Sequence, residues 1–222
     1  MNNLFSEINN LIITKCVIKK GQYILRTRKD LFNSEADISY NPKPSTTYGR
    51  FSPVGTKRFY GTICESPFIS LLTSIIETHT TPQADYPSFT TYSTGLWEIK
   101  QDLTLAAIIT DKIFPKSNNA ILNLLKQEYT HFIPKCTKQQ IEKTENIATE
   151  LTKKYSNNND YKRISTITDI VLCNCPQYDG FIYPSVETHG KYVMNVALKT
   201  NIVDNHLQFR NISHNIFVQL HL

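Results

Sequence analysis

The order in which segment types follow one another constrains this chain more than any single residue. Strand-like, β-branched stretches come first, helical stretches occupy the middle, and strand-like stretches return at the end, with no convincing linker and no internal repeat. That order predicts an α+β domain, because a regularly alternating α/β fold places a helix after nearly every strand. The 222 residues fall near the upper end of what one domain holds. Apolar residues at 40% and aromatics at 11% supply a core that a disordered chain lacks, so a single domain over residues 1–222 is expected.

Within that order, Leu11 to Arg28 reads as two strands or one hairpin interrupted at Gly21, and Asn33 to Pro53 as a long loop rich in turn-forming residues. Loops of that length in a compact domain are more often functional than idle. Lys57 to Ile63 returns to strand character. Ser66-Pro67 then opens a helix, with Ser able to cap free amides and Pro suited to the first turn. Phe68, Leu71, Leu72, Ile75 and Ile76 follow at helical spacing and are expected to anchor that helix in the core. Ser70, Thr73, Ser74 and Glu77 form the opposite stripe, so Glu77 is expected to look into a cleft.

Ser88 to Ile109 is strand-like. Helices are expected over Ala120 to Tyr129 and over Lys138 to Tyr155, the latter with Ile141, Ala148, Leu151 and Tyr155 toward the core. The asparagine-rich Ser156 to Asp160 should break it, and Tyr161 to Leu172 reads as one more short helix. Phe181 to Tyr183, Tyr192 to Leu198 and Asn215 to Leu222 close the chain as strands.

Composition narrows the function classes. A formal charge of +5 favours an anionic partner, yet no run of five basic residues marks a nucleic-acid arm, so nucleic acid is a disfavoured partner. The first ten residues do not resemble a signal peptide, and no apolar run approaches the roughly 18 residues of a bilayer span; a cytosolic, soluble protein is expected. Five scattered cysteines do not form a disulfide framework and are expected to be reduced, buried thiols. The Cys173 and Cys175 pair lacks the further ligands of a metal site, and no metal is expected. Neither a G-x-G-x-x-G turn nor a P-loop is present, and none of the six histidines is assigned a role.

Three regions place polar groups in unusual contexts. Arg26 and Arg28 alternate on a strand and so share a face, a forked clamp for phosphate or carboxylate, although solvated charges on a strand edge explain them equally simply. Tyr48-Gly49-Arg50-Phe51-Ser52-Pro53 sets an arginine in a loop shaped by Gly and Pro, ahead of the aromatic Phe59-Tyr60-Gly61. Asp179 to Ser185 ends a strand at Pro184 and projects the Ser185 hydroxyl into a loop, followed by Asn195 in the next strand. No G-x-S-x-G elbow surrounds Ser185, so hydrogen bonding suits it better than nucleophilic attack.

Taken together, these regions resemble the RES domain, named for an arginine, a glutamate and a serine. Leu25-Arg26-Thr27-Arg28 is similar to the first arginine motif, and Gly49-Arg50-Phe51-Ser52-Pro53-Val54-Gly55 to the glycine-arginine segment. Phe59-Tyr60-Gly61 is similar to the aromatic strand that follows. Glu77 in Ile75-Ile76-Glu77-Thr78 matches the helical glutamate, while Asp179 to Ser185 with Asn195-Val196-Ala197-Leu198 resembles the closing pattern. The resemblance covers about residues 23–204 and leaves residues 1–22 as an N-terminal extension. The gap from Tyr60 to Glu77 is longer than in many members, which makes Glu65 a competing glutamate; Glu77 is preferred because it ends the helix.

The resemblance implies an ADP-ribosyltransferase-like fold, a twisted two-sheet core with peripheral helices around an NAD+ cleft. It also implies a toxin that consumes NAD+ as substrate rather than cofactor, by hydrolysis or phosphorolysis, or that ADP-ribosylates a protein. An Xre-like antitoxin is the implied partner, and a homodimer is an open arrangement. Arg26, Glu77 and Ser185 would be catalytic. Arg50, Tyr60, Arg28 and Asn195 would bind NAD+, with Arg26 and Arg50 at the pyrophosphate, Tyr60 near the nicotinamide ribose, and Ser185 and Asn195 orienting the nicotinamide or a phosphate. A strand-turn hydrogen bond is an equally good use of Asn195. The competing non-enzymatic expectation is a basic nucleotide- or RNA-binding module.

Overall fold

A computed structural model describes residue 8 and residues 10–79 and 88–219. Residues 1–7 and 9 of the expected N-terminal extension and the last three of the expected closing strand lie outside them. Among the described residues the chain is an α+β protein of one mixed eight-stranded sheet and six α-helices.

The strands are β1 (Thr14–Ile18), β2 (Tyr23–Lys29), β3 (Phe59–Ile63), β4 (Ser88–Ile99), β5 (Leu103–Ala107), β6 (Gly180–Pro184), β7 (Met194–Leu198) and β8 (Leu207–Gln219). The helices are α1 (Glu35–Ile38), α2 (Pro67–Thr78), α3 (Ala120–Phe132), α4 (Lys138–Leu151), α5 (Lys162–Asn174) and α6 (Thr200–His206). Across the sheet the order is β1-β5-β6-β7-β3-β2-β4-β8, with β5 and β6 parallel and every other neighbour antiparallel.

Of the two readings open for Leu11 to Arg28, two separate strands is the one found. β1 and β2 do not form a hairpin: β1 pairs with β5 at one edge of the sheet, while β2 pairs with β3 and β4 far across it. Gly21, in the left-handed region at φ 86°, turns the chain between them, and its amide bonds to the Ile99 carbonyl instead of closing a two-strand ribbon. All eight strands belong to one hydrogen-bonded sheet, and the described residues show no second sheet beside it.

Apolar residues cover both faces of the middle strands. On β5, β6 and β7, Leu105, Ile182 and Val196 enter one core cluster with Trp97, Leu122 and Ile202, while Ala106, Phe181 and Ala197 enter a second with Ile147, Ile164 and Val171. Alternation along each strand sends neighbours to opposite faces, so central strands covered on both sides read as unbroken apolar runs.

Helix α2 reverses the orientation expected of it. Ser70, Thr73, Ser74 and Ile75 are its buried residues, whereas Phe68 is 75% exposed, and Ile69 and Leu72 are exposed as well. The cause is the surface it meets. Thr27 of β2 and Thr94 of β4 lie beneath the helix, and the Thr27 hydroxyl shares hydrogen bonds with Ser74 Oγ at 2.6 Å and Thr94 Oγ1 at 2.8 Å. Thr78 Oγ1 adds a bond to the Thr27 carbonyl at 3.3 Å. Buried hydroxyls with partners escape the desolvation cost that would otherwise drive them outward.

All five cysteines are free, but none is fully buried: Cys173 is exposed and the others are intermediate, so they are not the core thiols expected. Among the described residues no helix is long and apolar enough to cross a membrane.

Candidate functional site

The site begins at a seam in the sheet. β2 and β3 pair only through Ile24 with Ile63 and Leu25 with Thr62; beyond that β2 continues along β4 and β3 along β7. Gly61 sits at this last contact, where a side chain would strike Ile24 and the Leu25 backbone. Arg26 fills the parting. Its Nη1 donates to the Tyr60 carbonyl at 2.7 Å and its Nε to the Ser39 carbonyl at 3.1 Å, and the guanidinium lies 5.2 Å from the Phe59 ring centre. Nη2 has no protein partner among the described residues. Burial, and after it the nearby Arg28 charge, lower the Arg26 pKa to about 10, which leaves it a cation at neutral pH.

Over the seam opens a cavity of about 710 Å3, within the roughly 300–1,000 Å3 typical of small-molecule sites. Arg26, Arg50, Tyr60, Glu77 and Asn195 all line it. Lys43, Lys57, Arg58 and Lys154 add cations to the same wall, against Glu187 as the other carboxylate. Two of these cations are paired, Arg58 with Asp169 at 2.5 Å and Lys154 with Glu187 at 2.7 Å. The remainder still gives the cavity a positive field suited to an anion. A second groove of about 650 Å3 continues from it, sharing Thr47, Tyr48 and Asn158 and bordered by Asn157 and Asn159.

Glu77, near the C-terminal end of α2, is the most organised group in the cavity. Ser185 Oγ donates to its Oε1 at 2.5 Å and Asn195 Nδ2 donates to the same oxygen at 3.0 Å. Oε2 has no protein partner among the described residues. Ser185 is fully buried and does not line the cavity; its hydroxyl also accepts from the Thr188 amide at 3.2 Å. The expectation that Ser185 projects toward a ligand therefore gives way to a Ser185 that grips the glutamate from behind. Asn195 likewise turns its amide to Glu77.

Arg50 lies in the loop ahead of β3. Its Nη2 donates to the Lys153 carbonyl at 2.9 Å, and its guanidinium stands 5.7 Å from the Tyr161 ring centre and 5.9 Å from that of Tyr183. Its buried Nε has no partner. The Tyr60 hydroxyl is also buried, beside the Phe51 amide and the Ser52 hydroxyl but outside hydrogen-bond geometry. Burial pushes the Tyr60 phenol up to about 12 and that of Tyr183 well above its usual value, the latter with a further push from Glu77, so both remain neutral donors.

Not every expected residue is in the cavity. Arg28 shares the strand face of Arg26 but bonds to the Asp37 carbonyl and stacks 4.7 Å from the Phe32 ring centre, outside the lining. Glu65 is also outside, held by Asn119 Nδ2 at 3.1 Å and 3.2 Å. His79 bonds to the Tyr92 hydroxyl at 2.5 Å at the end of α2. No group of three His, Cys, Asp or Glu side chains among the described residues could hold a metal.

Tyr183 and Thr62 also line the cavity, and neither stands out as a site residue in the sequence. Both were within reach of strand alternation: Tyr183 lies two positions before Ser185, and Thr62 two after Tyr60. Comparison with protein-family models gives no match, and comparison with curated proteins gives none.

Proposed function

We propose that this chain is an NAD+-consuming enzyme of the RES type that cleaves the bond between nicotinamide and ribose. The observation that carries this reading is the shared cavity: a carboxylate with one oxygen fixed and the other open, at Glu77, faces the same space as the guanidinium groups of Arg26 and Arg50. A dinucleotide needs this combination. Its pyrophosphate calls for cations with free donor edges, and Arg26 Nη2 is such an edge, with the Arg50 guanidinium lining the same cavity. Its reacting sugar calls for a carboxylate.

In the reaction the C1′–N bond breaks with its electron pair passing to the nicotinamide ring nitrogen, and positive charge develops on the ribose. Glu77 accepts a ribose hydroxyl through Oε2 and stabilises that charge. C1′ then takes an oxygen from water, which loses a proton, or from inorganic phosphate. Tyr183, neutral at working pH, donates a hydrogen bond near the ribose and nicotinamide, while Tyr60, whose hydroxyl is buried, offers its ring to the cavity wall.

The ADP-ribosyltransferase-like two-sheet description belongs to the same proposal. It draws on the seam, where only two residue pairs join the β1-to-β3 half of the sheet to the β2-β4-β8 ribbon. Cytosolic action as a toxin and silencing by an Xre-like antitoxin follow from the resemblance and are proposed with it.

Incubating the purified protein with NAD+, with and without phosphate, and identifying the products by mass tests this reading. Release of nicotinamide is expected, and Glu77→Ala should slow it by about a hundredfold or more. Turnover unchanged in that variant removes Glu77 from the mechanism. Label from NAD+ bound covalently to protein would redirect the assignment to protein ADP-ribosylation, and salt-sensitive RNA binding without NAD+ loss would overturn it.

A further inference from the structure

Behind Glu77 the hydrogen bonds continue one residue deeper. Thr62, on β3, stands directly opposite Asn195 on β7, and Asn195 stands opposite Tyr183 on β6, so the three lie in a row across adjacent strands. The Thr62 hydroxyl donates to Asn195 Oδ1 at 2.8 Å. Thr62 is 3% exposed and Asn195 equally so. An amide side chain can present either its oxygen or its nitrogen to a neighbour, and the two choices have opposite consequences here. With Oδ1 held by Thr62, Nδ2 must face Glu77; with the amide reversed, a carbonyl oxygen would confront the carboxylate.

We infer that Thr62 is a positioning residue for the reaction, acting through Asn195 to hold the Glu77 carboxylate with Oε1 anchored and Oε2 aimed into the cavity. Asn195 is then a positioning residue too, rather than a ligand for nicotinamide or phosphate. Ser185 supplies the second anchor on Oε1. The chain of contacts runs from a sheet strand to a helix, and so ties the end of α2 to the half of the sheet on the far side of the seam. Two donors on one oxygen leave the carboxylate little freedom to rotate, and a displacement of about 1 Å at a reacting group can cost two orders of magnitude in rate.

This inference rests on the proposed reaction for its kinetic readout, but not for the hydrogen bonds themselves, and the test separates the two. Thr62→Val keeps the shape and removes the donor. It is expected to lower kcat for nicotinamide release about tenfold with KM little changed. A weaker Asn195 donor also changes the surroundings of the Glu77 carboxylate, so its carboxyl carbon signal should shift. Thr62→Ser should restore both. Asn195→Asp removes the donor outright and should lower kcat further. Tyr183 from β6, Tyr60 from β3, Arg26 from β2 and Arg50 from the loop before β3 also face the cavity around Glu77, and they are common to all the variants.

The Glu77 carboxyl signal is followed in parallel by NMR of protein labelled at glutamate carboxyl carbons, without NAD+. A shift in Thr62→Val that Thr62→Ser reverses supports the relay, even if the wild type proves not to consume NAD+ and the proposed function falls. A Glu77 signal indifferent to Thr62→Val overturns the relay, as does a loss of melting temperature with that signal and kcat unmoved. Should the valine variant not fold, Thr62→Ala carries the same comparison.

Discussion

Helices α2 and α5 each lay one face against the body of the protein, and the chemistry of those faces is nearly opposite. α5 buries Ile164, Ile167, Val171 and Leu172, with Ser165 and Thr168 between them. α2 buries Ser70, Thr73 and Ser74 with Ile75, and turns Phe68, Ile69 and Leu72 outward. Apolar contact is non-directional, so α5 gains stability from the area it covers and tolerates small shifts. Hydroxyl pairs have fixed distances and angles, and α2 is held in register by bonds from Ser74 and Thr78 to Thr27. The helix that carries Glu77 is thus the one whose position is set by hydrogen-bond geometry, while the helix with no part in the carboxylate cluster packs by area.

Substitutions on the two helices can break that contrast. The largest stability effect is expected for Ile167→Ala, fully buried in the core: a loss of about 2–5 kcal/mol in chemical denaturation, with nicotinamide release per folded molecule unchanged. A matching fall in turnover would mean that α5 also positions the site. Thr27→Val removes the shared partner of Ser74 and Thr94 and should cost about 1–3 kcal/mol. Here the outcome is reversed, with turnover falling because α2 loses its register; turnover that keeps pace with wild type would show the hydroxyl contacts to be only filler. The smallest effect is expected for Phe68→Ser, within about 0.5 kcal/mol, because the ring contributes to solvent-facing surface. A loss like that of Ile167→Ala would show the outer stripe of α2 to be a packed face after all.

Much of the fold was legible in the sequence. All eight strands overlap segments read as strand-like, although β8 begins at Leu207 and not Asn215, and the helices α2 to α5 fall where periodicity places them, since repeats of two and of 3.6 residues are local properties. α1 and α6 were missed because segments of four and seven residues span only about one and two turns, too few for a repeat to stand out. Whether β1 and β2 pair with each other stayed open in the sequence, because pairing between distant strands leaves no local mark. At the site, Arg26, Arg50, Tyr60, Glu77 and Asn195 were singled out and do line one cavity. The roles of Ser185 and Asn195 were not legible, because a hydroxyl or amide at a strand end reads the same whether it faces a ligand or a glutamate.

By itself the sequence determined that residues 67–78 form a helix with a polar and an apolar stripe, and that Glu77 ends the polar one. Only the tertiary structure decided which stripe turns inward. Periodicity records how residues separate around an axis, while the inward face depends on the surface met there. That surface is built from Thr27 and Thr94, which are 67 positions apart and become neighbours only when β2 and β4 pair.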